Sequence, residues 1–215
     1  ENWVRFVSRA SYVQGGREIR LFDLVKLSLR YRPDYIVVGE VRGEEIQSLV
    51  QAAAVGHGAL TTFHGESPQA AIVRMSSPPL NVGTSFMLLI WSFLQMAKIR
   101  AHDGKEVRRV IAGVELNPAY EEEVLYRLTP IFTWDSYHDR ILPETAADIV
   151  KTSKRLDIIR TMKGWSQDRL AEELSYRAHF LESLYRAGVY SYTDVSQQLH
   201  KFYATNGRAL TPPAG

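Results

Sequence analysis

Glu40 and His64 are the side chains whose surroundings point most directly to chemistry. Glu40 closes the run Tyr35-Ile36-Val37-Val38-Gly39-Glu40, a compact β-branched stretch ended by an acid. In open α/β sheets ligands gather at the carboxyl ends of the strands, so an acid there is aimed at the binding crevice. A carboxylate in that position suits the orientation of a water for attack on a phosphoryl group. The usual strand pattern for such chemistry has a second acid just before the last, helping to hold magnesium. Gly39 occupies that place, which argues against direct magnesium ligation by this strand. His64 closes the next β-like run, Ala59-Leu60-Thr61-Thr62-Phe63, and should emerge on the same edge as Glu40. Gly56 and Gly58 flank His57 and let the backbone approach a ligand closely, although a glycine there also reads as a helix stop. Arg42 and Arg74 can serve an anion or a neighbouring subunit; the plainer reading is an ion pair with Glu40, Glu44 or Asp34. A metal triad of His57, His64 and Glu66 is not favoured, and Arg30 reads as structural.

The elements that must position these residues follow from periodicity. Leu21, Leu24, Val25, Leu27 and Leu29 form the apolar face of a helix that Arg32-Pro33 ends, because proline biases its predecessor out of the helical region. Tyr35-Ile36-Val37-Val38 predicts a strand buried on both faces. Glu44 and Glu45 suit the positive end of a helix, whose stripe is Ile46, Leu49, Val50, Ala53 and Ala54 and whose stop is Gly56. A second strand follows over 59–63. Ser67-Pro68 then caps a helix running to Met75. Strand, helix, strand, helix is a βαβ unit with a parallel sheet. Upstream, residues 3–7 suggest a short strand and Gln14-Gly15-Gly16-Arg17 a break. Downstream, Ser77-Pro78-Pro79 breaks the chain before a helix or strand over 86–99. The turn His102-Asp103-Gly104-Lys105 should pair 95–101 with 107–116, and 124–134 reads as an edge strand. Beyond Pro143 the pattern is helical. Ser166 caps a helix with the stripe Leu170, Leu174, Ala178, Leu181 and Leu184, and Ser191-x-x-Asp194 is a capping box for the next. Residues 211–215 read as a frayed tail.

Composition narrows the field. The chain has 215 residues, 45% of them hydrophobic and 23% charged. These are globular proportions that exclude disorder and allow a sizeable core. There is no cysteine, which excludes disulfides, thiolate zinc sites and cysteine nucleophiles and fits a reducing cytoplasm. Net charge is +2, too balanced to argue for nucleic acid or a membrane surface. The strongest apolar run, 86–94, is far short of the ~20 residues of a membrane span. From Lys151 onward ten basic residues meet six acidic ones. There Ser166-Gln167-Asp168-Arg169-Leu170-Ala171-Glu172-Glu173-Leu174 looks like the first helix of a helix-turn-helix. The segment after it continues the helical stripe instead of turning, so nucleic acid is not expected as a partner.

Several segments together carry a family likeness: Glu1-Asn2-Trp3-Val4, Leu21-Phe22-Asp23-Leu24-Val25-Lys26, Arg32-Pro33-Asp34-Tyr35-Ile36-Val37-Val38-Gly39-Glu40-Val41-Arg42-Gly43, Gly56-His57-Gly58 and Thr61-Thr62-Phe63-His64. They resemble the hexameric secretion and pilus motor ATPases of the GspE/PilT class, above all the archaeal members that drive type IV pili, archaeal flagella or type II secretion. That family also has glycine before its glutamate. The resemblance runs over 1–75, more loosely to about 134, and thins out in the helical tail. It implies an α/β fold: the C-terminal half of a RecA-like P-loop NTPase core (1–143), a helical C-terminal subdomain (144–208) and a flexible tail (209–215). It implies that Glu40 is the Walker B glutamate and that His64 belongs to the histidine box, both catalytic, with Gly39, Arg42 and His57 at the cofactor. The cofactors implied are ATP and Mg2+. The family's phosphate loop, Gly-x-x-x-x-Gly-Lys-Ser/Thr, and its acidic box are not in this sequence. The expectation is therefore that a preceding half holds most of the nucleotide and magnesium, and that this chain alone is inactive. The implied partners are five further copies in a homo-hexamer, a polytopic membrane platform protein and, indirectly, pilin-like substrates. The implied place is the cytoplasmic face of the membrane. The alternatives are a non-catalytic module acting through its surface and, behind it, a nucleic-acid-binding domain.

Overall fold

The computed structural model describes residues 3–9, 18–100, 104–121 and 124–205. The breaks expected at 14–17 and 102–103 and the tail at 209–215 lie outside them. The chain divides into two compact units, Glu1–Ile131 and Phe132–Gly215.

In the first unit, residues 3–8 form no strand; Arg9 makes an isolated antiparallel bridge with Ile19. Helix α1 (Leu21–Ser28) opens from an extended Arg20 whose backbone N–H donates to the Asp23 carboxylate at 3.3 Å. A short 3-10 turn, Leu29–Tyr31, follows and ends at Arg32 in the left-handed region (φ 49°), immediately before Pro33. Strand β1 (Tyr35–Val38) and strand β2 (Gly58–Thr61) are parallel, paired from Tyr35↔Gly58 to Val38↔Thr61. Helix α2 (Glu45–Ala54) connects them. This is the βαβ unit that the sequence pattern predicts.

β1 is not buried on both faces. Ile36 and Val38 are in the core, while Tyr35 and Val37 are 69% and 51% exposed. The period-2 alternation of a strand sends alternate side chains to opposite faces, and only one face meets the helices here. The α2 stripe also sits slightly differently from the expected one. Ile46, Ser48, Leu49, Val50 and Ala52 are buried and Ala54 is exposed. Helix α3 (Pro68–Ser76) begins as predicted, with the Ser67 hydroxyl accepting from Ala70 N–H and proline in its first turn. Its Ala71, Ile72 and Met75 join Val25, Ile36, Val38, Val41 and Leu49 in one core.

The apolar stretch 86–94 splits into a short helix, α4 (Thr84–Met87), and the start of β3 (Ser92–Arg100). β3 pairs antiparallel with β4 (Glu106–Glu121), with a register shift between Gln95 and Met96. β5 (Val124–Asp135) and β6 (Arg140–Leu142) complete a sheet of order β3-β4-β5-β6. β5 is therefore internal rather than at the edge, because the short β6 turns back and covers it.

The second unit is built on helices α5 (Ala146–Thr152), α6 (Lys154–Lys163), α7 (Gln167–Arg186) and α8 (Tyr192–Ala204). Each starts from a hydroxyl, Thr145, Ser153, Ser166 or Ser191, that accepts from the backbone N–H three residues on. The buried residues of α7 are Leu170, Phe180 and Leu184; Leu181, expected inside, is 56% exposed. The reason is Phe202 of α8. It stacks on Phe180 with ring centroids 4.3 Å apart and on Tyr176 at 5.4 Å, so the aromatic side chains rather than the leucines set which face of α7 is covered. Among the described residues no helix is long and apolar enough to cross a membrane.

Candidate active site

The carboxyl ends of β1 and β2 lie side by side in the parallel pair, and the loops leaving them are tied together. Val41 N–H donates to Thr62 O at 3.2 Å, and the Thr62 hydroxyl donates to Gly39 O at 2.6 Å. Val41 itself is 2% exposed, a plug in the core directly after Glu40. The next turn is ordered by Glu45, whose carboxylate accepts from Arg42 N–H at 2.6 Å and Gly43 N–H at 2.9 Å. Burial works against its charge, but these backbone donors outweigh it and lower its pKa. Glu40 thus sits in a short loop fixed at both ends.

Glu40 meets a guanidinium and an imidazole from different parts of the chain. Arg42 Nη2 is 2.7 Å from Glu40 Oε2, and His64 Nε2 is 3.0 Å from Glu40 Oε1. The Glu40 side chain is 26% exposed, whereas those of Arg42 and His64 are 72% and 79% exposed. The hydrogen bond from Arg42 lowers the Glu40 pKa; desolvation opposes this, and the charges of Arg42, His64 and Arg74 reinforce it. Glu40 is therefore an anion at neutral pH. Its Oε1 is buried and makes no hydrogen bond, with His64 Nε2 beside it at 3.0 Å. A buried carboxylate oxygen left without a hydrogen bond has lone pairs to offer a water.

The His64 loop is held from below. Arg74 of α3 donates to His64 O at 3.0 Å and lies 5.1 Å over the Phe63 ring. Gln95 of β3 donates to Glu66 O at 2.7 Å. At Gly39 an added Cβ would meet nothing within 4 Å, so there is open space beside the acid.

Glu40, Gly39, Arg42 and His64 are brought together at one end of the strand pair. His57 is not. It precedes β2, its ring Nδ1 is 2.6 Å from Pro33 O just before β1, and the adjacent Gly58 N–H donates to Asp34 O at 2.8 Å. It stands at the amino ends of the strands, where Gly58 lets the Tyr35 ring pass close; a Cβ there would meet that ring at 2.4 Å. Thr62 and Gln95 hold the cluster without any signal in their residue type. Thr62 shows only once the register places it beside Gly39.

The group a phosphoryl-transfer site needs fits this arrangement in part. Arg42 and Arg74 present positive charge and His64 a ring nitrogen suited to phosphate oxygens, and the Glu40 oxygen that makes no hydrogen bond suits a water. Glu40 meets Arg42 and His64 rather than a second carboxylate, an arrangement unlike a magnesium cage.

Residues 8–93 match the family described as Type II/IV secretion system protein. The type II secretion system protein E of Klebsiella pneumoniae is 41% identical over 66 residues, 29% of this chain and 13% of its own length. An uncharacterized protein of Methanocaldococcus jannaschii is 35% identical over 187 residues, 86% of this chain and 66% of its own. The chain thus spans less than two thirds of the length of these relatives. The solved structure of the Yersinia pseudotuberculosis ATPase DotB aligns over 83% of this chain and 40% of its own, with 18% identity and a TM-score of 0.36. The likeness to the secretion-system family is thus carried by residues 8–93, the stretch that holds Glu40 and His64.

Proposed function

We propose that this chain carries the water-activating part of an ATPase motor: the C-terminal half of a RecA-like P-loop core with a helical subdomain after it. The domain limits proposed are 1–143 for the core half, 144–208 for the helical subdomain and 209–215 for the tail. The observation behind the reading is Glu40, an anion with one buried oxygen that makes no hydrogen bond, set between the Arg42 guanidinium and the His64 imidazole at the carboxyl ends of a parallel strand pair. In this reading Glu40 orients a water toward the terminal phosphate and accepts its proton. Arg42 and His64 face the phosphate oxygens, and the open space at Gly39 admits the ligand. Bound magnesium would neutralise phosphate charge. ATP and Mg2+ are held mainly by a phosphate loop elsewhere in the intact protein. The working assembly is a homo-hexamer on the cytoplasmic face of a membrane, docked on a polytopic platform protein. It drives a pilin-like fibre or a secreted substrate, and nucleic acid is not its partner.

The test is ATP turnover by the intact protein. Glu40→Gln keeps the shape of the side chain and removes the base, so nucleotide binding persists while turnover falls roughly 100-fold or more. Near-normal turnover would remove the reading. The 215-residue chain alone is expected to hydrolyse ATP negligibly. Turnover by it that disappears with Glu40→Gln would show a complete site within it.

A further inference from the structure

We propose that Thr62 is a positioning residue that sets the aim of Glu40 through the carbonyl of Gly39; the inference rests on the role proposed for Glu40. The regular pairing of β1 and β2 ends at Val38↔Thr61. Beyond it the two chains stay joined by a pair of bonds that both use Thr62. Its backbone carbonyl accepts from Val41 N–H at 3.2 Å, and its hydroxyl donates to Gly39 O at 2.6 Å. These two anchors bracket Glu40, one residue before it and one after. The bond on the Val41 side is seconded by the burial of the Val41 side chain. The bond on the Gly39 side has no such second. Gly39 carries no side chain, and a Cβ there would touch nothing within 4 Å. A glycine in open space has more backbone freedom than any other residue, and a rotation there would swing the Glu40 carboxylate. The Thr62 hydroxyl removes that freedom. Thr62 is itself exposed, so its hydroxyl is not filling a core.

The proposal separates two properties that a structural role would move together. Loss of the hydroxyl should misaim the acid without unfolding the unit or weakening nucleotide binding, since the main-chain bond from Val41 and the β1–β2 ladder do not depend on it. A misplacement of about 1 Å at a reacting group costs on the order of 100-fold in rate.

The experiment uses steady-state ATPase kinetics on the intact protein with Thr62→Val, Thr62→Ser, Glu40→Gln and the double variant Glu40→Gln/Thr62→Val. Thr62→Val is isosteric and lacks the donor. It is expected to lower kcat about 10- to 100-fold with KM within about threefold. Thr62→Ser, which restores the donor, should recover most of the loss. In the Glu40→Gln background Thr62→Val should add little to the defect, because the group it positions has lost its function. Equal defects in Thr62→Val and Thr62→Ser, full multiplication of the two defects in the double variant, or a Thr62→Val change confined to KM would each overturn the proposal. If Thr62→Val fails to fold, the hydroxyl is a structural element and the proposal falls as well. Near-normal turnover of Glu40→Gln would instead sink the role of Glu40. A dead Glu40→Gln beside an unaffected Thr62→Val would sink only the role of Thr62.

Discussion

Glu40 in the first unit and Asp135 in the second each lie against one histidine and one arginine, and the similarity ends there. Asp135 takes all its partners from one turn. Its Oδ1 accepts from Tyr137 N–H at 3.0 Å and His138 N–H at 3.4 Å. Its Oδ2 is 2.6 Å from His138 Nδ1 and 3.6 Å from Arg140 Nε. Both oxygens are engaged, and every partner lies within five residues on the β5–β6 hairpin. Glu40 has its histidine 24 residues away, on the loop after a different strand, and keeps one buried oxygen without a hydrogen bond. A satisfied local cluster closes a turn. A cluster assembled across strands with an unsatisfied acid stores the capacity to bind something else. Proximity of an acid, a histidine and an arginine does not distinguish the two; the origin of the partners and the remaining valence of the carboxylate do.

The largest expected contrast is in turnover. Where Glu40→Gln lowers ATPase activity of the intact protein roughly 100-fold or more, Asp135→Asn should leave it within about threefold, since surface changes away from a reacting group have small effects. Comparable losses would erase the distinction drawn between the clusters.

The two histidines give the next contrast. His64→Ala should lower kcat more than it raises KM, by about 10-fold or more, because its ring lies beside the acid and its side chain is exposed. His138→Ala should leave kcat in place and lower the thermal midpoint instead, because it removes a donor from the Asp135 turn. A His138 variant with lost turnover and unchanged melting would show that the second cluster does chemistry too.

These assignments differ in how far the sequence discloses them. Glu40 is legible because a β-branched run ending in an acid has one direction along a parallel strand, and His64 because it ends the second such run. His57 misleads because its glycines look the same at either end of a strand; the polarity of β2, which begins at Gly58, decides that it belongs with Pro33 and not with Glu40. Thr62 falls within a segment that carries the family likeness, but its tie to Gly39 shows only once the register pairs its neighbour Thr61 with Val38. In the helical region the capping hydroxyls Ser166 and Ser191 are readable, since a cap depends on neighbours within three residues, whereas Thr145 and Ser153 show as caps only in the structure. The buried face of α7 is not readable in the same way. Leucines at three and four spacing describe one stripe and Tyr176, Phe180 and Leu184 another, and only the partner Phe202 chooses between them. What is local in the chain is legible, and what depends on a partner far along it is not.

A finer contrast is in the acid limb of activity. The Glu40 pKa is lowered chiefly by the hydrogen bond from Arg42, against desolvation. Turnover that needs the anion should therefore persist to a pH below the ordinary glutamate value of about 4.3. In Arg42→Gln the largest lowering cause is gone, so the acid limb of kcat should move upward. An unmoved limb would mean that Arg42 does not govern the charge of Glu40.

The smallest expected effect concerns stability in acid. The Asp135 pKa is lowered first by the hydrogen bond with His138. Desolvation opposes this, and the Tyr137 and His138 backbone donors and the His138 charge reinforce it. A carboxyl whose folded pKa lies below its unfolded value stabilises the fold above the unfolded value, about 3.9 for aspartate, and loses that contribution as pH falls through the folded value. Asp135→Asn removes the titrating group while keeping an acceptor for the Tyr137 and His138 backbone N–H groups. Thermal midpoints of the parent and Asp135→Asn should therefore differ at neutral pH and converge as pH drops below about 4. Both residues of the Asp135–His138 pair are near the surface, so raising the salt concentration should shrink the neutral-pH difference as well. A gap that stays constant from neutral to acid pH would show that the carboxylate is a passive acceptor in its turn. The two clusters would then differ in more than the origin of their partners, because only Glu40 would have its acid limb set by the groups around it.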